Sequence, residues 1–438
     1  MSSQKWHWLH SPITGGVLLV VATLFALIWA NIAPENYHHV WHDIIWEIST
    51  GLNEQPHKIN LHKIANEFLM AIFFFFIGLE IKREVLAGEL SSLQKATLPL
   101  FAALGGVIFP AGLYYAFNVG TDTINGWGIP MATDIAFALG VLAIVGSRVP
   151  VSLKIFLSAL AIGDDLIAVL VIAMFYTEQI FVNELLIGLA GIIVLALANR
   201  AGVRHHLFYY TIGLSIVWIS FLASGVHATV AGVIVAFTIP SRRKISMDSY
   251  LNQTKNLLAS LEAERFHKQD ILTSHTINTL RNIKKLSYQA SNPLQIKEKA
   301  LHPIATLFIV PFFALGNAGV IVSESILQEL TNPLMIGIAA GLIVGKPLGI
   351  YLFTKLLTIL KWGSLPTGVT WSHVIGAGFL AGMGFTMSLF ITDLAFKDPE
   401  YQVIAKVSVL VASVISGIIG YIILMNSPQN ESQGASNE

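Results

Sequence analysis

Four ionisable residues fall inside otherwise apolar stretches: Asp134, the adjacent pair Asp164-Asp165, and Lys346. A charge at the centre of a bilayer costs about 2.5–3.5 kcal/mol on insertion scales, so each such residue is a functional candidate by default. Asp164 follows Lys154 by ten residues. That is roughly 15 Å of helix, about half the hydrocarbon thickness. Asp134 sits ten residues into its own apolar segment and Lys346 nine before Lys355, which places both at similar depth. Neighbouring helical residues point about 100° apart, so Asp164 and Asp165 cannot present the same way. One is expected to face a neighbouring helix and the other a water-filled cavity. Burial and a like charge nearby both disfavour an ionised carboxylate, so protons and a hard cation such as Na+ compete for the same oxygens. A site that holds one or the other, but not both, becomes an exchanger once it opens to each side in turn. Lys346 is suited to pair with one aspartate and to be released when the cation binds. The alternative, a static buried salt-bridge cluster, fits a lone aspartate better than four midplane charges.

The elements that carry these residues follow from composition. The 438 residues are 54% hydrophobic and only 12% charged, with mean hydropathy +0.67. Soluble proteins carry about 25% charged residues; so little charge cannot cover a water-facing surface, and lipid must be the main partner. The formal net charge of zero argues against nucleic-acid binding. The absence of cysteine excludes disulfides, thiolate metal sites and a cysteine nucleophile. A span needs about 20 apolar helical residues, and twelve stretches qualify, giving an all-α polytopic membrane protein. Its first span, Ile13 to Ala30, is too long for a signal-peptide core and is expected to be retained. With both termini cytoplasmic, only Lys58, Lys63, Lys397 and Lys406 among the 26 basic residues fall outside, as the positive-inside rule requires. Residues 1–240 would carry eight spans, with an extracytoplasmic hairpin near 46–60. Residues 241–299 would form a long cytoplasmic connection holding one or two amphipathic helices, 300–426 four more spans, and 427–438 a disordered tail.

Two spans look weakened. Gly126-Trp127-Gly128-Ile129-Pro130 interrupts the fourth just before Thr133-Asp134, and Gly376, Gly378, Gly382 and Gly384 loosen the eleventh. Freed backbone groups are tolerated inside a membrane only where protein or a cavity satisfies them. The third-to-fifth and tenth-to-twelfth spans thus read as matching triplets of opposite orientation, each with a weakened middle member, the sign of an inverted repeat. Asp134 would neutralise facing helix N-termini and Lys346 facing C-termini.

Weaker signals surround this core. Glu80, Lys82, Arg83 and Glu84 end the second span, as an interfacial charge cluster or a pH-responsive entry funnel. His227 is a candidate modulator of the pH response, or a packed histidine. His38, His39 and His42 read as loop histidines rather than a metal site. Gly345-Lys346-Pro347 lacks the Ser/Thr and glycine spacing of a phosphate loop, so no nucleotide is expected. Gly163-Asp164 resembles half of an intramembrane aspartyl protease site, but Ala161 and Thr133 stand where that motif needs Gly and Tyr. A Na+-coupled solute symporter would need more buried polar groups for an organic substrate.

At these residues the chain resembles the NhaA family of bacterial Na+/H+ antiporters. The matching stretches are Ile77 to Glu84, Ala132 to Phe137, Ala161 to Leu166, Ser224 to Thr229, Gly345 to Gly349 and Gly384 to Ser388, in family order and across nearly the whole chain. NhaA is itself a standard example of inverted repeats with broken helices, so the repeat and the resemblance are not independent signs. The resemblance implies a multi-pass protein of the bacterial inner membrane with the NhaA fold and no cofactor. It would exchange two H+ for each Na+ or Li+ and form homodimers through the extracytoplasmic hairpin. It implies Asp165 as the principal Na+ ligand and Asp164 as the proton-exchanging partner of Lys346. Thr133 and Asp134 would shape the crossing of the two broken helices, and Glu80 with Glu298 would belong to cytoplasmic pH sensing. Two departures stand out: residues 241–299 form a longer loop than the family pattern, and Gly163 replaces a bulkier apolar residue and would loosen the helix.

Overall fold

A computed structural model describes residues 12–48, 57–177, 179–262, 272–321 and 329–428. The tip of the expected hairpin and the polar tail from Gln429 lie outside the described residues. The apolar runs fold into helices because, without water, every backbone N–H and C=O must be satisfied within its own segment. Among the described residues, ten helical segments are long and apolar enough to cross a membrane. Nine are α1 (Ile13–Ile32), α2 (Leu61–Ala87), α3 (Leu93–Asn118), α5 (Val151–Phe175), α6 (Val182–Arg200), α7 (Leu207–Ser224), α11 (Pro293–Asn317), α12 (Pro333–Ile359) and α15 (Pro399–Met425). The tenth, Ile124–Arg148, is broken: a 3-10 helix (Ile124–Met131) leads through non-helical Ala132 to Asp134 into helix α4 (Ile135–Val145). Its counterpart is the pair α13 (Trp371–Ala381) and α14 (Phe385–Ala395), bent by 45°.

Ten such segments, or eleven with the bent pair, fall short of the twelve expected. The difference is α8 (Ala228–Thr238), whose 11 residues reach only about 16 Å at 1.5 Å per residue. Gly225, at φ 81°, makes the left-handed turn that cuts α8 off from α7, a conformation open to glycine at little steric cost. The break in the fourth span also differs from expectation. The 126–130 stretch stays helical, with Pro130 accommodated inside the 3-10 turns, and the chain opens at the following residues.

Polar connections carry the remaining structure. β1 (Ile45–Ile48) pairs antiparallel with β2 (His57–Asn60), with Trp46 opposite Ile59. Between α8 and α11 lie α9 (Met247–Glu262) and α10 (Ser274–Ala290). The connection is tied to the helix bundle by Arg204 Nη2 donating to the Ser291 carbonyl (2.7 Å), and its two ends are joined by Asn292 Nδ2 donating to that of Ser241 (2.8 Å). On α1, Val17, Val21, Leu24 and Ile28 are exposed at helical spacing; such a stripe is what a lipid-facing surface requires.

Small residues set how closely the helices approach. Gly78 on α2 lies against α8, where a Cβ would fall 2.7 Å from Ala236 Cβ and 3.0 Å from Val233 Cα. Gly78→Val must therefore push α2 and α8 apart, at about 1–3 kcal/mol for overpacking. Its melting temperature in detergent should drop measurably below that of the parent protein. Equal melting would contradict this contact.

Candidate functional site

The two broken segments meet back to back. Asp134 N–H donates to the Met383 carbonyl at 2.7 Å, so the non-helical stretches touch through their backbones. Helices that stop inside a bundle leave N–H groups unpaired at one end and C=O groups at the other, with partial positive and negative charge respectively. Asp134 answers both N-termini. Its Oδ1 accepts from Phe137 N–H in the first turn of α4 (3.1 Å), and its Oδ2 from Thr386 N–H (3.1 Å) and Thr386 Oγ1 (2.5 Å) in the first turn of α14. The opposite ends receive donors. Lys346 Nζ donates to the Met131 carbonyl that ends the 3-10 helix. Thr133 Oγ1 lies 2.8 Å from the Ala381 carbonyl that ends α13. Ser388 Oγ donates to Ile129 O at 2.7 Å, a second tie between the two breaks.

Asp164 and Asp165 sit mid-way along α5, both about 97–98% buried, as is Asp134, while Lys346 is wholly buried. Their surroundings differ. Asp164 Oδ2 pairs with Lys346 Nζ at 2.7 Å and with the Thr133 hydroxyl at 2.7 Å. Its Oδ1 has no hydrogen-bond partner among the described residues. Asp165 turns away from Lys346 and lines a cavity of about 110 Å³ with Glu80, Thr133, Asp134, His302, Thr306 and Thr386. That space holds several waters or a partly hydrated cation. Gly163 does not loosen α5, which runs unbroken through it. Instead α3 packs on it, with Ala103 Cβ 3.1 Å and Leu100 Cδ2 3.2 Å from where a Cβ would stand.

A second cluster closes the far end of α2. Arg83 lies 2.8 Å from Glu298, 2.9 Å from Glu84 and 3.8 Å from Glu80, gathering three carboxylates around one guanidinium. Lys82 donates to the carbonyls of Phe237 (2.7 Å) and Ile239 (2.5 Å), capping the end of α8. His227 is not part of this cluster. It bonds Thr229 Oγ1 at 3.0 Å and lines a different pocket, with Tyr176, Asp393 and Lys397.

The structure thus brings Asp134, Thr133, Asp164, Asp165 and Lys346 into one centre and Glu80, Glu84 and Glu298 into another, linked by Glu80 at the cavity wall. Thr386, Ser388 and Arg83 complete these sites; the sequence places Thr386 and Ser388 after the glycines of the eleventh span and Arg83 in the charge cluster of the second, without giving any of them a role of its own. For Arg83 a signal existed, since its spacing of three residues from Glu80 on a helix makes the two neighbours.

Asp134 offers a direct test. Asp134→Ala leaves N–H groups of two buried helix ends without an acceptor, each costing about 1–3 kcal/mol. The variant should melt well below the parent and lose transport. Asp134→Asn keeps an acceptor oxygen and should recover part of the lost stability; equal destabilisation by both would show that capping is not the residue's role.

The sequence model described as Na+/H+ antiporter 1 matches residues 6–424. The chain is 71% identical to Na(+)/H(+) antiporter NhaA 1 of Psychromonas ingrahamii over 98% of both chains. It is 45% identical to the NhaA antiporter of Oleidesulfovibrio alaskensis, over 94% of this chain and 91% of that one. With that of Wolinella succinogenes it shares 44% identity over 95% and 91%. Together with the crossing of two broken helices around buried charges, these matches show that the chain is a multi-pass membrane protein belonging to the NhaA family of Na+/H+ antiporters, which are secondary transporters rather than enzymes.

Proposed function

We propose that this antiporter extrudes Na+ or Li+ by letting the cation and protons compete for Asp164 and Asp165, with two protons returned per cation. The observation that carries this reading is the contrast between two adjacent carboxylates, one ion-paired to Lys346 at 2.7 Å and the other facing a cavity. A cation entering the cavity would meet Asp165 first. The unpartnered Oδ1 of Asp164 is then a further hard oxygen ligand, of the kind alkali cations prefer. Drawing Asp164 toward the cation weakens its bond to Lys346. One proton leaves Asp165 and a second leaves the Asp164–Lys346 pair. Since two charges move one way and one the other, the cycle is electrogenic. The transported ions are cargo, and no cofactor enters this cycle.

Placement in the bacterial inner membrane with both termini and residues 241–299 cytoplasmic is supported by the distribution of Lys and Arg. That orientation puts the Arg83 cluster at the cytoplasmic mouth, where Glu80, Glu84 and Glu298 would report pH. His227, at the other end, would act on outward-side ion release. A homodimer through the extracytoplasmic hairpin is supported by the two-stranded ribbon, whose outer edges are free among the described residues to pair with a second copy.

The test is transport by the purified chain in proteoliposomes carrying an imposed pH gradient. Na+ should dissipate the gradient, and Asp165→Asn should reduce dissipation to that of empty liposomes while leaving expression intact. At zero membrane potential, a one-unit pH gradient should balance about a hundredfold Na+ gradient for two protons per cation, against about tenfold for one. A balance point at tenfold overturns the stoichiometry. A requirement for an added organic solute would overturn antiport.

A further inference from the structure

Another group of ionisable residues, partly to fully buried, lies at the end of α2 opposite the Arg83 cluster. Asp393, near the end of α14, pairs through Oδ1 with Lys406 Nζ of α15 at 2.7 Å. Its Oδ2 accepts from Asn66 Nδ2 of α2 at 2.8 Å and lies 3.6 Å from His62 Nε2. Asn317 at the end of α11 completes the set, 3.0 Å from His62 Nε2 and donating to Asn66 Oδ1 at 2.7 Å. His62 in turn packs on the His42 ring, centroids 4.7 Å apart. Side chains of α2 and α15 thus meet one carboxylate of α14, with α11 behind them, and that carboxylate also lines a pocket of about 390 Å³ with His227, Gln179, Tyr176 and Lys397.

Its position relative to the ion site gives this group a meaning beyond packing. Thr386, which holds Asp134, and Asp393 are seven residues apart on α14, hence two turns and roughly 10.5 Å apart on the same face. Between them, one turn from each, stands Phe390. It is 1% exposed and packs against Phe74, Phe313 and His227 with ring centroids 5.7, 6.2 and 5.4 Å away. Thr386 lines the cavity at Asp165, and His227, against the Phe390 ring, lines the pocket at Asp393; Phe390 therefore stands between residues of the two spaces. An ion that crosses a dry barrier needs a compensating charge on arrival, because desolvation is otherwise uncompensated. Asp393 is a carboxylate at that point, and its counter-charge sits on a long, flexible lysine.

We propose that Asp393 is an outward-side station for the monovalent cation, occupied after the cation passes Phe390 and held shut at other times by Lys406, with Asn66 and His62 fixing the carboxylate. The station rests on the antiport reading and adds a second site in series with Asp164 and Asp165. Lys406 competes with the cation for Asp393 as Lys346 does for Asp164, so the two partners should have opposite effects when removed.

The experiment compares the half-saturating Na+ concentration for proton movement from the two faces of the membrane, in right-side-out and everted vesicles containing the full chain. Asp393→Asn should raise the value on the Asp393 face, relative to the opposite face, by about threefold or more. Lys406→Gln, which frees the carboxylate, should lower the same ratio. Shifts in the same direction for both variants, or no shift in either, would overturn the station and leave a structural ion pair. If Asp393→Asn does not insert, Lys406→Gln alone decides: a lowered ratio supports the station, and an unchanged or raised ratio overturns it. Wild-type vesicles that move no protons on Na+ addition would instead refute the antiport reading itself, a result distinct from active wild type with unshifted variants.

Discussion

Four interrupted helix ends brought together in a poorly solvated interior are the constraint on which the rest of this structure depends. Each exposes backbone groups that neither lipid nor a continuing helix can satisfy. Asp134 receives two N-termini, Lys346 and Thr133 each supply a donor to a C-terminus, and the Asp134–Met383 backbone bond locks the two stretches together. Lys346 also binds Asp164, and the single Thr133 hydroxyl proton lies within reach of both Asp164 and the Ala381 carbonyl. The groups that stabilise the crossing and those that would handle the ion are thus partly the same atoms, and a change in the state of Asp164 is felt directly at the helix ends.

This coupling explains why the two adjacent aspartates are not equivalent. Their separation of about 100° around α5 turns Asp164 into the crossing, where its partners are fixed protein groups, and Asp165 toward the cavity and Glu80. One carboxylate is therefore part of the scaffold and the other part of the path. A single aspartate could not be both without giving up either the lysine or access to solvent.

Much of this was readable from the sequence because an apolar background makes a charge conspicuous. Asp134, Asp164, Asp165 and Lys346 stand out by depth alone, and each is found buried at the centre. The exact position of the break was not readable: Gly126 to Pro130 carries the helix-breaking residues, yet a 3-10 turn absorbs Pro130 and the chain opens at Ala132. Thr386 stands out beside the glycines of the eleventh span, but its role does not, because a threonine there is equally suited to packing. Asp393 and Lys406 lie near the ends of apolar segments, where charge is ordinary, and only the folded chain brings them within 2.7 Å of each other. The brevity of α8 was hidden for a similar reason, since composition does not distinguish an apolar helix of 11 residues from the longer apolar run that contains it.

The helix that carries Lys346 is not uniform. Gly341–Gly345 forms a π-helical turn in which Lys346 N–H bonds five residues back to Gly341, and Pro347 follows without an N–H to give. Single π turns are widened, weakly bonded places in a helix, often found where function is concentrated. The lysine therefore stands where the hydrogen-bonding register of the helix changes from five residues to four, on a helix packed along α3. Such a turn works as a mechanical joint: it would let a buried ammonium move by fractions of an ångström to an ångström without dragging a whole helix, so that exchanging one ion for another need not begin with a large motion of the bundle.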